Sequence, residues 1–304
     1  MNYYIYKLKF VTPVRFGVTK GNITNDNSSD FTSDQIFASI FNEYVNLYGI
    51  DKAKKLLNDF YISDLFPFME DNLYLPKPIM IFDSLVENKN KDRKIGKKIK
   101  YIQMNEFNEY INDLKNGNDL LKYKLSKPFF KEVYQTKYNF SKEQTPYIVS
   151  GIQFYKNCGL YFIVSFNDEI KEEFDNVMKS LSFSGIGGKK SSGYGKFEID
   201  EIIKPSLDII NSLNSNCKYK MLLSSVIPTD EEVMMLKTSN SFYSIISRSG
   251  FSVVNGNMVK KKTTPMLKSG SCMDFDIKGQ IKEVNKENVR SIYRYAKALK
   301  WGIE

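Results

Sequence analysis

Residues 181–200 read LSFSGIGGKKSSGYGKFEID and combine glycines with cations and hydroxyls in one short stretch. Glycine stands at positions 185, 187, 188, 193 and 195, with Lys189, Lys190, Ser191 and Ser192 between. Without a Cβ, glycine admits positive φ, so that successive backbone N–H groups can converge into a concave nest. Such a nest suits an extended polyanion. The N–H groups of Gly187 and Gly188, the two lysines and the two hydroxyls are therefore candidate contacts to a nucleic-acid backbone. The plainer alternative is a loop that only turns the chain. Nucleotide motifs are excluded by spacing. A Walker loop requires glycine five positions before its Gly-Lys pair and Ser or Thr after the lysine, and here Phe183 and Lys190 occupy those places. A dinucleotide fingerprint would need glycine at 190. Both motifs also run strand–loop–helix, whereas this loop follows a helical pattern and precedes a strand.

The chain contains no histidine. That removes the commonest general base near neutral pH and the commonest metal ligand, so any catalysis would fall to carboxylates, lysine or tyrosine. Cys158, Cys217 and Cys272 are too scattered for a disulfide framework or a zinc site. Asp26, Asp30 and Asp34 are the carboxylates that could help hold a metal. The simpler reading places Asp34 in the first turn of a helix, where it favours the dipole, with Asp26 and Asp30 solvating a loop. No cofactor is expected.

A formal charge of +9 over 304 residues favours an anionic partner. Much of it is lysine beside abundant asparagine, a bias that base composition of a genome also produces. At 42% hydrophobic and 14% aromatic the chain can build sizeable cores. No stretch approaches the roughly 20 apolar residues of a membrane span, and the alternating N-terminus, MNYYIYKLKF, is not a signal peptide. The expectation is a soluble cytoplasmic protein with no membrane partner.

The elements that must position the loop follow from periodicity. Tyr4, Tyr6, Leu8 and Phe10 alternate as a strand. Residues 32–48 form a helix with Ile36, Phe37, Ile40, Phe41, Tyr44, Leu47 and Tyr48 on one stripe, a Thr32/Gln35 capping box and a stop at Gly49. A shorter helix covers 51–60, and residues 79–82 read as a short strand. From 84 to 145 the pattern breaks, with a basic run KNKDRKIGKKIK at 89–100 and a short helix near 106–114; this region reads as an insertion. Residues 147–155 and 160–166 suggest a hairpin about KNCG. Asn167 caps a helix whose stripe is Ile170, Phe174, Val177, Met178 and Leu181, and a strand at 194–203 closes the half. Two split βαβ units give an antiparallel sheet with two helices on one face, an arrangement whose open face commonly meets single-stranded RNA. After a connector at 205–216 come a strand at 219–227, a helix at 230–237, a hairpin of 242–248 with 251–254, a turn at 255–257 and apolar patterns at 278–284 and 292–299, the last undecided between helix and strand. The fold class is α+β: two tandem ferredoxin-like (RNA-recognition-motif-like) domains, 1–204 with its insertion and the loop 185–195, and a degenerate one at 217–304.

Three stretches together resemble the RAMP superfamily of CRISPR systems: the first strand running into Arg15-Phe16-Gly17, the SDQIFASIF helix, and FSGIGGKKSSGYGKFEI. A glycine-rich loop between a helix and the last strand is that superfamily's hallmark. The ending SIYRYAKALKWGIE, residues 291–304, resembles the Csm-type fourth subunit of type III-A effector complexes, with Ala296 where the family usually has glycine. The resemblance implies a non-catalytic subunit that grips the 5′ repeat-derived handle of the crRNA and links the large signalling subunit to the backbone RAMP subunits, with the insertion as a hairpin thumb along the RNA. Related backbone subunits use an aspartate of the corresponding loop to cut RNA, which is why Asp26, Asp30 and Asp34 are weighed. On this reading the RNA contacts are Gly187, Gly188, Lys189, Lys190, Ser191, Ser192, Tyr194, Arg15, Phe16 and Arg248. Tyr194, Phe16 and Tyr293 are the candidates for stacking bases, and Arg290 and Arg294 flank the terminal motif. The alternative function is a metal-independent precursor-RNA endoribonuclease of the same superfamily.

Overall fold

The computed structural model describes residues 1–16, 31–81, 98–138, 146–254, 257–287 and 290–303. Asp26, Asp30, Gly17, most of the basic run at 89–100 and the turn at 255–256 lie outside the described residues.

The first half is built on one antiparallel sheet. In chain order its elements are β1 (Asn2–Phe10), helices α1 (Ser33–Tyr48) and α2 (Ile50–Lys55), the short strands β2 (Tyr61–Ile62), β3 (Phe66–Met69), β4 (Asn72–Pro76) and β5 (Tyr101–Gln103), helix α3 (Phe107–Asn116), the long pair β6 (Phe130–Tyr138) and β7 (Pro146–Phe154), then β8 (Cys158–Phe166), helix α4 (Lys171–Ser184) and β9 (Phe197–Ile203). The strands run in the order β5-β4-β3-β8-β1-β9, with β2 also on β8. The α1 boundaries are those the sequence dictates. Thr32 and Gln35 form the capping box, and Gly49, at φ +85°, donates its N–H to the Val45 carbonyl. Asn167 likewise accepts the Glu169 N–H ahead of α4.

Two strand expectations are corrected. β7 and β8 do not pair across KNCG; β7 pairs with β6 over nine residues, while β8 crosses to β1. Two apolar strands separated by a turn signal look alike whether they pair with each other or part at the turn. Of the expected strand at 79–82, residues 79–81 are no strand and residue 82 lies outside the described residues. Ile79 makes a single bridge to Ser271, and the sheet position is taken by β3 and β4, which carry Pro67 and Pro76 within them. Pro67 is tolerated in β3, where it faces Leu160 of β8.

The second half contains β10 (Tyr219–Leu222), β11 (Ile245–Arg248), β12 (Phe251–Val254), β13 (Asn257–Lys260), β14 (Thr264–Leu267), β15 (Cys272–Met273), β16 (Lys282–Glu287), β17 (Arg290–Arg294) and β18 (Lys300–Ile303), with helices α5 (Leu207–Leu213) in the connector and α6 (Asp230–Thr238). They form small antiparallel sheets, β15-β10-β18, β11-β14, β12-β13 and β16-β17. The expected pairing of 242–248 with 251–254 is not made: β11 pairs with β14 and β12 with β13. The undecided segment 292–299 ends β17 and then runs irregularly into β18.

The central sheet is covered on both faces. Tyr4, Tyr6, Leu8, Phe162 and Phe166 point into one core with α1 and α4. Ile5, Phe66, Phe68, Tyr161 and Ile163 point into a second, with Phe107 and Tyr110 of α3 and Met221, Leu223, Trp301 and Ile303 of the second half. Every residue of β8 is buried. The expectation of an open face for RNA is therefore corrected: the insertion helix and the second half occupy it. The terminal motif contributes as well, because Tyr295 stacks on Phe37 at 4.3 Å and its hydroxyl donates to the Phe60 carbonyl at 3.0 Å.

Buried polar groups join the halves at the start of α1. Asp64 accepts the N–H groups of Ser33 and Ser225 at 2.7 and 2.9 Å and the Ser225 hydroxyl at 2.9 Å. Asp34 Oδ2 accepts from Arg294 Nη1 at 2.7 Å and its Oδ1 lies 3.4 Å from Arg248 Nη2. Burial alone would push the Asp34 carboxyl up, but Arg248 and Arg294 hold it below the ordinary carboxylate range. Asp34→Ala would leave two buried guanidiniums unpaired, a loss of about 3–5 kcal/mol, which denaturant titration measures. A carboxyl with a depressed folded-state pKa contributes stability above its unfolded value and loses it as pH falls through the folded one. The acid limb of the stability profile is therefore expected to be shallower in Asp34→Ala than in wild type.

Candidate nucleic-acid interface

The glycine-rich loop connects α4 to β9. Gly185, at φ +78°, ends the helix and donates to the Leu181 carbonyl. Ile186 is fully buried, and its N–H bonds the Gly195 carbonyl at 2.9 Å. The loop is then fastened to the backbone just after β1: Gly195 N–H to Pro13 O at 2.8 Å and Gly188 N–H to Arg15 O at 2.7 Å. Two glycines are required by close approach. A Cβ on Gly195 would lie 1.9 Å from the Ile186 carbonyl oxygen, and one on Gly187 2.5 Å from that of Arg15. Beyond these rivets the tip stands free. Gly188, Lys189, Lys190, Ser191, Ser192 and Gly193 are exposed. Lys189, at φ +61°, leads into a single 3-10 turn, Lys190–Ser192.

The β6–β7 hairpin stands beside this tip. Val14 and Ile152 exchange backbone hydrogen bonds at 2.9 Å each, tying the hairpin to the same post-β1 segment. Lys189 Nζ sits 5.1 Å from the Tyr147 ring centroid, and Lys137 is the cross-strand partner of Tyr147. Tyr147 is exposed, and Arg15 is partly so. Lysines, an arginine and an open aromatic ring thus share one surface, the combination that tracks a single strand by charge and stacking.

Several expected residues are not part of it. Tyr194 is 1% exposed, its ring lying under Gly151, where a Cβ would fall 2.8 Å from Tyr194 Cε1; it has no open face for a base. Its hydroxyl is buried without a hydrogen-bond partner among the described residues. Burial pushes that hydroxyl's pKa up, and the nearby Arg15 charge offsets part of the rise. Phe16 is buried edge-on against Phe31 at 4.7 Å. The Gly188 N–H is spent on Arg15, so that amide does not serve a phosphate. Arg248 and Arg294 are buried on Asp34, which disposes of their cationic heads. The same pairing removes Asp34 from metal binding, and among the described residues no group of three or more His, Cys, Asp or Glu side chains is placed to hold a metal. Tyr293 is exposed, over a hollow lined by Leu57, Asn58, Ile281 and Lys297, none of them from the loop. The side chain of Arg290 lies outside the described residues. Sequence reasoning missed Tyr147 and Lys137, since only the β6–β7 register brings them together. The signal available was the nine-residue stretch FKEVYQTKY at 130–138, polar in the main with aromatics at Phe130, Tyr134 and Tyr138.

A family model described as the RAMP superfamily matches residues 7–198. The chain belongs to the RAMP superfamily. A second model, the CRISPR Csm4 C-terminal domain, matches residues 215–303. Among curated relatives, a CRISPR system Cms protein Csm4 of Streptococcus thermophilus is 29% identical over 93% of this chain and 95% of its own length. The Csm4 of Methanocaldococcus jannaschii is 24% identical over 95% and 90%. In fold, this RAMP protein superposes on a chain of a Csm3-Csm4 subcomplex of the type III-A CRISPR-Cas interference complex with a TM-score of 0.66 at 19% identity, covering 100% of both chains. It also superposes on a chain of a Csm1-Csm4 cassette in complex with AMPPNP with a TM-score of 0.64 at 18% identity, covering 100% of this chain and 98% of the other. The mixed helix-and-sheet architecture is that of these structures. Among the described residues no helix is long and apolar enough to cross a membrane.

The loop's architecture makes two expectations. Gly195→Ala cannot place its methyl without moving the Ile186 carbonyl, so its melting temperature falls by several degrees, as expected for a loss of about 1–3 kcal/mol. Tyr194→Phe removes a hydroxyl that has no described partner and leaves stability within about 0.5 kcal/mol of wild type or above it, with RNA affinity unchanged in a filter-binding titration.

Proposed function

We propose that this RAMP protein is a non-catalytic, RNA-binding subunit of a type III-A CRISPR interference complex. It holds the 5′ handle of the crRNA and joins a large signalling subunit to the backbone RAMP subunits. The observation that carries the reading is the exposed cationic tip, Lys189, Lys190, Ser191 and Ser192, fixed by hydrogen bonds to the Arg15 segment and flanked by Tyr147. The lysines supply phosphate contacts, which position a strand without specifying it; Tyr147 supplies a ring on which a base can stack. The partners follow from the relatives, which include a Csm3-Csm4 subcomplex and Csm1-Csm4 cassettes. In the first half, the strand order β9-β1-β8-β3 supports a ferredoxin-like unit. We read residues 217–304 as a second, degenerate one, and the β6–β7 hairpin as the thumb of the inserted region.

The tip acts as a clasp rather than a blade. Its hydroxyls and lysines have no adjacent imidazole to take a proton, the chain lacking histidine altogether. The rival reading, a metal-independent endoribonuclease, would put the acid–base work on a lysine or tyrosine, Lys189 or Tyr194, of which Tyr194 is buried.

A titration of purified protein with labelled repeat RNA tests both. Each phosphate contact on a single strand contributes about 0.7 to the slope of log affinity against log salt. Replacing Lys189 and Lys190 together by alanine is therefore expected to flatten the slope by about 1.4, with intact RNA recovered from wild type and variant alike. An unchanged slope removes the two lysines from the interface. Site-specific cleavage abolished by the same substitutions turns the reading over to the enzyme.

A further inference from the structure

Helix α6 is inverted. Its buried side chain is Glu232, 7% exposed, whereas Val233, Met234 and Met235 are 40%, 63% and 45% exposed. The inversion has a cause. Glu232 closes a capping box with Thr229, accepting the Thr229 N–H at 2.9 Å, and also accepts the Lys278 N–H at 2.7 Å. The carboxylate thereby pins the helix to the second half, with Leu236, one turn on, packed into the small core of Leu222, Val226 and Leu267. Residues three and four apart share a helical face, so Glu232 and Leu236 define the inner side. Asp230, Val233, Met234 and Lys237 define an outer one, where Lys237 Nζ approaches the Met234 sulfur at 3.8 Å.

An outward pair of Val233 and Met234 is costly to leave in water and adaptable in packing. Its charge decides what covers it. Asp230 and Glu231 are exposed beside the apolar residues and outnumber Lys237, the cation on the same helix face, on a chain whose net charge is +9. Carboxylates repel a nucleic-acid backbone and complement cationic side chains. We infer that the outer face of α6 is a docking surface for a protein subunit of the same effector complex, one that presents an apolar groove flanked by lysine or arginine. This rests on the assembly reading above and adds to it a place and a chemistry for the contact: the protein-facing surface is acidic and apolar, and distinct from the basic RNA-facing loop.

The test uses the complex co-expressed with its large and backbone subunits and affinity-purified through this chain. Val233→Ser with Met234→Ser is expected to lower recovery of one protein subunit by roughly tenfold, as truncation of a central apolar contact does. Met234→Leu is expected to retain it. Asp230→Lys with Glu231→Lys is expected to lower recovery of the same subunit, most strongly at low salt. The isolated serine variant should melt with wild type and bind repeat RNA with unchanged affinity, whereas the lysine variant, with cations at the positive end of α6, should melt within a few degrees of wild type and bind RNA no more weakly. Full recovery of both subunits by the serine and lysine variants overturns the inference. So does a loss of RNA affinity in the serine variant, which would make RNA the occupant, or a wild-type dimer that the serine variant dissociates, which would make it a second copy. If the wild-type chain recovers neither subunit, the assembly reading itself fails, a result distinguishable from all of these.

Discussion

Burial of the central sheet on both faces is the constraint from which the rest of the structure follows. β8 lies between β1 and β3 with no exposed residue, so its alternating side chains feed two cores at once. One is closed by α1 and α4, the other by α3 and the strands of the second half. Because the second face is sealed, the flat surface that such sheets offer to single-stranded RNA does not exist here. What projects beyond the sheet is the loop entering its edge strand β9 and the hairpin that leaves the sheet altogether, and the proposed RNA contact rests on these. The glycines of the loop serve that geometry first. Gly187 and Gly195 let the loop lie directly on neighbouring carbonyls, and the anchored base carries Lys189 beside Tyr147.

Charge is sorted by the same packing. A net charge of +9 says nothing about which cations meet a ligand. Arg248 and Arg294 are consumed by Asp34 in the interior. Lys7, although it sits in a strand, is 4% exposed and paired with Asp200 and Glu201 of β9 at 3.5 and 3.3 Å. What remains at the loop tip is a small, exposed fraction of the basic residues. Conversely, the carboxylates Asp34 and Asp64 are buried and take donors from distant parts of the chain. A buried charge removed from its partner is strongly destabilising, so these groups favour one arrangement of the two halves over others.

Legibility in the sequence divides along the range of the interactions. Local ones were readable. The alternation of β1, the stripe and capping box of α1, the Asn167 cap and stripe of α4, the exposed lysines and serines of the loop and the family resemblance all rest on residues within a few positions of one another. Their physics, periodicity and short hydrogen bonds, is complete in such a window. What was misread depended on a partner far along the chain. KNCG has the form of a hairpin turn, yet β7 went to β6 and β8 to β1. Tyr194 and Phe16 have the residue type of stacking platforms, and only the approach of Gly151 and Phe31 shows them enclosed. Arg248 looks like a hairpin-tip cation until Asp34, from the other half, takes it inside.

The amino-acid order by itself determined the elements around the loop, the loop's glycine and lysine content, the absence of an imidazole and the superfamily, because each is a property of neighbouring residues. The tertiary structure alone decided which strands pair, that both faces of the sheet are closed, which aromatics and arginines are withdrawn from the surface, and that Tyr147 and Lys189 stand together. Those outcomes depend on which buried surfaces fit one another across the whole chain, and no local pattern encodes that fit.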